Sequence, residues 1–196
     1  MTSGWYSARL PQMKYSKDQL EQRLQQGEIF KYLFFWGDKD PEIGRVSKAC
    51  FSQWYESSFT AQNNIFATAE HWMMFQKALL FDDQRKANEI LDTPKPGKAK
   101  ALGREILNFD QYTWDQHKYA IVLEGNLLKF KQNAELASFL LSTGQRVLAE
   151  ASPVDTIWGI GLEAKDPNAQ NPSFWKGENL LGFALMEVRD LLIKQL

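Results

Sequence analysis

Cysteine and histidine are scarce in this chain, and their scarcity excludes the kinds of site that they usually build. Cys50 is the only cysteine among 196 residues, so neither an intrachain disulfide nor a Cys-rich zinc site can form. The two histidines, His71 and His117, are too few for most catalytic metal centres. We therefore expect no metal, no cofactor and a reducing compartment, either the cytoplasm or, as the alternative, the nucleus.

Long apolar runs and an excess of one charge are also missing. The longest apolar runs, such as residues 32–36 and 180–186, are far shorter than the roughly 20 residues of a membrane span, and the first residues contain no stretch typical of a signal peptide. The net charge is −1, from 23 basic and 24 acidic residues, which gives no general attraction to nucleic acid or lipid. We expect no membrane association and only local anion binding. Walker, GxGxxG, HExxH and nucleophile-elbow motifs are absent too.

Helical periodicity dominates what the chain does contain. Apolar spacing, with Thr68 as an N-cap and Gly144 as a stop, predicts helices over residues 16–28, 69–81, 84–91, 99–107, 110–131, 134–141 and 178–195. Residues 29–36 are strand-like, residues 50–59 are expected to be extended, and short strands are expected at 146–151 and 156–158. We predict a predominantly helical α+β fold, with an N-terminal extension over residues 1–28 and one domain over residues 29–196.

The predicted helix over residues 69–81 carries the most informative charges. Trp72, Phe75 and Leu79 share a face that should enter the core. Glu70 and Lys77 lie seven residues apart on another face, beside two methionines, as in the wall of a pocket. The alternative is that Glu70 only interacts with the helix dipole and that Lys77 is solvated.

Two further segments suggest a nucleotide-like ligand. Asp155 precedes Trp158, Gly159 and Gly161, where backbone could approach a ligand closely and a carboxylate could accept ribose hydroxyls; an Asx turn beside a core tryptophan is the alternative. The basic stretch that ends at Arg104 lies around an expected helix start, which would suit a phosphate, although a solvated basic loop is the commoner explanation.

Taken together, these segments resemble the YbiA-like family, also called NADAR, over roughly residues 29–193. Eight pieces occur in the family's order: FSQWYESSF at 51–59, AEHWMMFQKALLF at 69–81, ALGR at 101–104, Trp114, LLKFKQNAEL at 127–136, LLSTGQRVLAEAS at 140–152, DTIWGIGL at 155–162 and GENLLGFALMEVR at 177–189. The chain departs from the family at Gln53, where the family usually has asparagine.

The resemblance implies an N-glycosidase with a predominantly helical α+β fold. Known members cleave the base–ribose bond of phosphorylated ribosylamino-pyrimidines, which are riboflavin-pathway intermediates, or remove ADP-ribose from guanine, so a small nucleotide-like substrate is expected, free or attached to nucleic acid. No obligate protein partner is expected. By the same resemblance, the expected catalytic residues are Glu70, Trp114 and Asp155, and the expected substrate-binding residues are Lys77, Arg104, Trp158, Gly159 and Asn179.

The chemistry of this bond gives these residues their expected roles. Breaking a C–N glycosidic bond builds positive charge at the anomeric carbon, so carboxylates should flank it. The helix N-terminus should keep Glu70 ionised, which favours a base or nucleophile over an acid. Trp114 would stack on the base or shield the cation, and Arg104 would hold phosphate.

Several alternatives stay open at this point. Water attack is the simpler route to cleavage, but a neutral Lys77 could instead form a Schiff base with the opened sugar. A different class of function is a non-catalytic module that binds ADP-ribose or an NAD-like nucleotide. A third is a structural protein whose aromatic residues only pack. Two carboxylates near an anionic ligand favour catalysis over binding alone.

Overall fold

The computed structural model describes residues 13–41 and 44–194. Within them the chain forms seven α-helices, two short 3₁₀ helices and four short strands, as the α+β prediction required. The helices are α1 Lys17–Gln25, α2 Ala69–Leu80, α3 Gln84–Asp92, α4 Pro96–Gly103, α5 Gln111–Gln132, α6 Ala134–Ser142 and α7 Leu180–Ile193. The strands are β1 Tyr32–Phe35, β2 Phe59–Ala61, β3 Asn64–Phe66 and β4 Val147–Glu150.

Two parallel strands lie at the centre of the fold. β1 pairs with β4, with Tyr32 opposite Val147 and Phe35 opposite Glu150. α7 packs against β4 and against the long helix α5, which also packs against α2. Because the strands are parallel, their carboxyl ends meet at one edge, and the residues that follow them come together there.

Helix α2 is fixed by its cap and by one tryptophan. Thr68 is the N-cap, and its side chain accepts a hydrogen bond from the His71 backbone N–H. Trp72 is buried, and its indole N–H donates to the Ile121 carbonyl at 2.9 Å. Gly125 on α5 provides the room, since an added Cβ would lie 2.3 Å from the Trp72 ring. The predicted cap and the predicted core face at Trp72 are confirmed.

Two expected extended segments are wrong, and side-chain hydrogen bonds explain both. Residues 50–59 were expected to be extended, but the chain forms a 3₁₀ helix over Lys48–Phe51 and then a turn before β2 begins at Phe59. The buried Lys129 ammonium donates to the Cys50 and Ser52 carbonyls, which draws them to one point. Residues 156–158 form no strand, because the Asp155 side chain turns the backbone instead.

Other boundaries differ from the sequence prediction. Helix α4 begins at Pro96 and ends at Gly103, three to four residues earlier than predicted, because proline at the first helical position favours a start there. The hairpin of β2 and β3 was not predicted; Gln62 and Asn63, both with positive φ, form its turn. The predicted C-terminal end of the last helix at residue 195 lies outside the described residues. No helix in the described part of the chain is both long and apolar enough to span a membrane.

Candidate active site

A cavity of about 510 Å³ opens at the carboxyl ends of β1 and β4. Ligands commonly bind at this edge of a parallel sheet, because loops there converge and leave a crevice. Residues 36–38 after β1, residues of α2 and α4, and the segment 150–158 at the end of β4 line it. Six of the eight expected site residues line it: Glu70, Lys77, Arg104, Trp114, Asp155 and Trp158.

Glu70 is the first of two carboxyl groups held in this cavity. The residue is 2% exposed, and its Oε1 is buried without a hydrogen-bond partner. Burial raises its pKa to about 7, an effect opposed by Lys100, the Trp54 side chain and Arg104. Removal from water therefore opposes the ionised state that the helix N-terminus is expected to favour, and part of the Glu70 carboxyl groups carry a proton at neutral pH.

Glu150 is the second, and the sequence did not single it out. It is the last residue of β4, and its backbone N–H donates to the Asn179 side-chain oxygen at 3.0 Å. Its Oε2 is buried and has no hydrogen-bond partner. Burial, with the charges of Asp155 and Glu70 adding to it, raises its pKa to about 8, while Lys100 opposes the shift.

Asp155 both turns the backbone beside the cavity and affects the charge of the two carboxyl groups. Its Oδ1 accepts hydrogen bonds from the backbone N–H groups of Ile157 and Trp158, at 2.9 and 2.8 Å. The Asx turn weighed above is therefore present, and Trp158 is half-buried at the cavity rather than in the core. The Asp155 charge also raises the pKa of both Glu70 and Glu150.

Lys77 reaches the cavity from the far end of α2. Its ammonium donates to the Gly103 carbonyl at 2.8 Å and lies 4.2 Å from the ring centre of Phe109 and 5.5 Å from that of Trp114. Burial, and after it the Arg104 charge, lowers the pKa of Lys77. This position places one amine beside two aromatic rings, of which Trp114 lines the cavity.

Besides Lys77, two cations of the cavity come from the C-terminal half of α4 rather than from a helix start. Arg104 follows Gly103 as the C-cap of α4, so the prediction that it lies beside helix N-terminal amides is wrong. Lys100 lies one turn earlier, lines the same cavity and lies 5.9 Å from the ring centre of Trp54. An anion held at this end of the cavity would be bound by these two side chains rather than by the N-terminus of α4.

Gly159 and Asn179 lie behind the cavity rather than in its lining. Asn179 is fully buried; its Nδ2 donates to the Leu148 carbonyl at 2.9 Å, and its backbone N–H donates to the Gly159 carbonyl. A Cβ at Gly159 would lie 2.8 Å from the Glu150 carbonyl oxygen. Both residues therefore hold the end of β4 in place.

The turn that follows the 3₁₀ helix also contributes residues to the cavity that were not among the expected site residues. Gln53 lines the cavity, donates from Nε2 to the Asn126 side chain at 3.1 Å, and accepts the Glu70 backbone N–H on its own carbonyl at 2.9 Å. Trp54 and Trp36 form aromatic walls. The unusual glutamine thus belongs to the support of Glu70.

Comparison with known proteins gives consistent matches along the chain. The model of the NADAR domain matches residues 34–193. A protein named N-glycosidase in Acanthamoeba polyphaga mimivirus is 43% identical over 168 residues, covering 83% of this chain and 97% of that protein. N-glycosidase YbiA of Escherichia coli (strain K12) is 30% identical over 142 residues, 72% of this chain and 80% of YbiA. The NMR structure of E. coli YbiA superposes with a TM-score of 0.68 at 27% identity, covering 89% of this chain and 92% of that one.

Proposed function

The chain belongs to the NADAR domain family and is a hydrolase of N-glycosyl bonds, and we propose that the bond joins a base to a phosphorylated ribose. Two substrates fit: a ribosylamino-pyrimidine phosphate, and guanine that carries ADP-ribose. The observation that carries the proposal is the pair of carboxyl groups of Glu70 and Glu150, each of which has one buried oxygen without a hydrogen-bond partner in the same cavity.

The size and charge of the cavity suit a nucleotide-like molecule. A volume of about 510 Å³ lies within the range of roughly 300–1,000 Å³ that small-molecule sites occupy. Tryptophan rings offer flat surfaces for a base, and Arg104 and Lys100 offer positive charge for a phosphate. The ribose would then lie between these ends, beside the carboxyl groups.

Water attack is the proposed route to cleavage. As the C–N bond breaks, positive charge builds at the anomeric carbon. Glu70, with a pKa of about 7, is ionised in a substantial fraction of molecules at neutral pH and can take a proton from the attacking water. The Trp114 ring can shield the cation, and the Asp155 charge stabilises it.

A module that only binds ADP-ribose would not need this arrangement. A buried carboxyl oxygen without a partner costs stability, and an ionised Glu70 near an anionic phosphate would also weaken binding. Both costs are offset if the carboxyl groups take part in breaking the glycosidic bond. The pair therefore favours cleavage over binding alone.

The test is direct measurement of the released base. Purified protein is incubated with ribosylamino-pyrimidine phosphate and, separately, with ADP-ribosylated guanine, and the free base is quantified by mass spectrometry. We expect release from at least one substrate and little release by Glu70→Gln. Thermal shift with ADP-ribose and ribose 5-phosphate accompanies it: stabilisation without base release would identify a binding module, and no response to any ligand would indicate a packing role.

A further inference from the structure

We propose that Glu150 is the proton donor to the departing base, and that Asn179 is the positioning residue that aims it. This inference rests on the proposed function and assigns a role that neither the sequence motifs nor the relatives supply. It starts from one geometric fact: the end of β4 presents a carboxyl group whose Oε2 is buried in the cavity and unpaired.

Three hydrogen bonds fix the backbone at and next to Glu150. Asn179 accepts the Glu150 N–H, the Glu150 carbonyl accepts the Ile160 N–H at 2.8 Å, and Asn179 also binds the preceding Leu148 carbonyl. Asn179 itself takes a left-handed conformation, with φ of 56°, that few side chains tolerate. Such a fixed backbone is what a group needs if it must meet one atom of a substrate.

Burial at the end of β4 favours the protonated form of Glu150. Burial raises its pKa most, Asp155 in the following loop and Glu70 on α2 raise it further, and Lys100 on α4 lowers it, with a result of about 8. Asp38 at the end of β1 and Arg104 at the end of α4 face the same cavity. Lys100, Arg104 and the Trp54 side chain all favour the ionised form of Glu70, whereas Lys100 alone favours that of Glu150, so Glu70 gives up its proton first and serves as the base while Glu150 serves as the acid.

The step balances with water as the only co-reactant. The C1′–N bond breaks, its electron pair goes to nitrogen, and the Glu150 carboxyl proton moves to that nitrogen. Water oxygen forms the new bond to C1′, and its proton moves to Glu70. Glu150 ends ionised and Glu70 protonated, and exchange with solvent restores both after the products leave.

The experiment compares leaving groups that do and do not need a proton. We would measure kcat/KM of wild type, Glu150→Gln and the control Glu163→Gln, an exposed carboxylate outside the cavity lining. The substrates are ribosylamino-pyrimidine phosphate and 4-nitrophenyl riboside 5′-phosphate, whose nitrophenolate leaves unprotonated. We expect Glu150→Gln to lose about 10²–10⁴-fold on the first substrate and much less on the second, while Glu163→Gln matches wild type on both.

The pH profile supplies a readout that does not depend on the variant folding. Wild-type kcat/KM for the pyrimidine substrate should form a bell whose limbs reflect the carboxyl pair near pH 7 and 8, and the basic limb should be missing for the nitrophenyl substrate. Equal losses on both substrates, or a basic limb shared by both, would overturn the role of Glu150. A wild type that releases no base from the pyrimidine substrate or from ADP-ribosylated guanine would overturn the proposed function instead.

Asn179 is tested by the same comparison of substrates. Asn179→Gly tolerates the left-handed backbone but removes both side-chain hydrogen bonds. We expect kcat on the pyrimidine substrate to fall more than kcat on the nitrophenyl substrate, with KM little changed. A similar fall for both, tracking a lower melting temperature, would reduce Asn179 to a purely structural role.

Discussion

Two kinds of buried ionisable group occur in this protein: those whose polar atoms are hydrogen-bonded and those that keep an oxygen without a partner. Lys129 is 0% exposed, yet its ammonium donates to two carbonyls, those of Cys50 and Ser52, at 2.7 and 2.9 Å. Glu70 and Glu150 each keep a buried oxygen that has no partner. Native structures pair nearly all buried polar atoms, so a paired charge serves the fold and an unpaired one indicates a ligand.

The paired cation also supports the unpaired carboxyl groups. Lys129 fixes the carbonyls of residues 50 and 52, and the next residue, Gln53, accepts the Glu70 backbone N–H. Through this turn the long helix α5 sets the start of α2. The comparison therefore predicts that changes in the first kind of group alter stability, and changes in the second alter turnover.

The largest expected effect is on turnover, from Glu70→Gln. The amide is isosteric and neutral, so the fold should survive without a buried charge, while the base is lost. We expect kcat/KM to fall by about 10²–10⁴-fold, with a melting temperature at or above that of wild type. Turnover within a few-fold of wild type would remove Glu70 from the mechanism, and a large loss of stability would mean that it belongs with Lys129.

Lys129→Met should do the reverse. Methionine replaces the buried aliphatic stem but leaves two carbonyls without a donor, each costing about 1–3 kcal/mol. We expect the free energy of unfolding to fall by about 2–5 kcal/mol in urea titrations. The exposed Lys131→Met on the same helix is the control and should stay within about 0.5 kcal/mol. A change no larger than the control's would mean that those carbonyls find other donors.

Arg104→Ala extends the comparison to an exposed charge in the cavity, which should affect substrate binding rather than stability. A charge-assisted contact to phosphate is worth about 1.5–3 kcal/mol, so KM for the phosphorylated substrate should rise by roughly 10–100-fold. The dephosphorylated analogue should show little change. Lys98→Ala removes an exposed charge from the same helix outside the cavity lining and serves as the control. Equal losses with both substrates would assign Arg104 to the end of α4 rather than to the ligand.

The same residues show which parts of the fold and of the site can be predicted from the sequence. Local signals were sufficient for α2, where Thr68 and the apolar spacing mark the start and the core face, and for the family motifs that brought Glu70 and Asp155 forward. They were insufficient for Glu150, because one acid at the end of a short apolar strand looks ordinary until the pairing of β1 with β4 places it in a cavity.

The electrostatics of the site could be predicted only in part, for a related reason. The helix dipole at Glu70 is visible in the sequence, but the burial that outweighs it depends on the packing of α2 against distant segments. Likewise, the basic stretch predicts a helix start near Arg104, but Pro96 at the first turn begins α4 earlier, so Arg104 lies at the C-terminal end of that helix. Long-range packing, rather than local preference, decides the charge state of this site.

The smallest expected effect on turnover is at Lys77, and it distinguishes two routes of cleavage. It belongs with the paired cations: its ammonium donates to the Gly103 carbonyl and lies against two aromatic rings. Burial lowers its pKa, which a Schiff base would require, but both kinds of contact favour the charged amine. We therefore expect water to be the nucleophile and Lys77 to bind substrate.

Borohydride added during turnover distinguishes the two routes. A Schiff base would be reduced to a stable adduct on the Lys77 peptide, detectable by mass spectrometry, whereas water attack leaves that peptide unmodified. We expect no adduct, and we expect Lys77→Ala to keep kcat within about tenfold of wild type while KM rises, because a binding contact is lost and no nucleophile is. An adduct that forms only in the presence of substrate, together with an inactive Lys77→Ala, would instead make Lys77 the nucleophile. A cation that is hydrogen-bonded in the free protein would then act in the reaction together with Glu70 and Glu150.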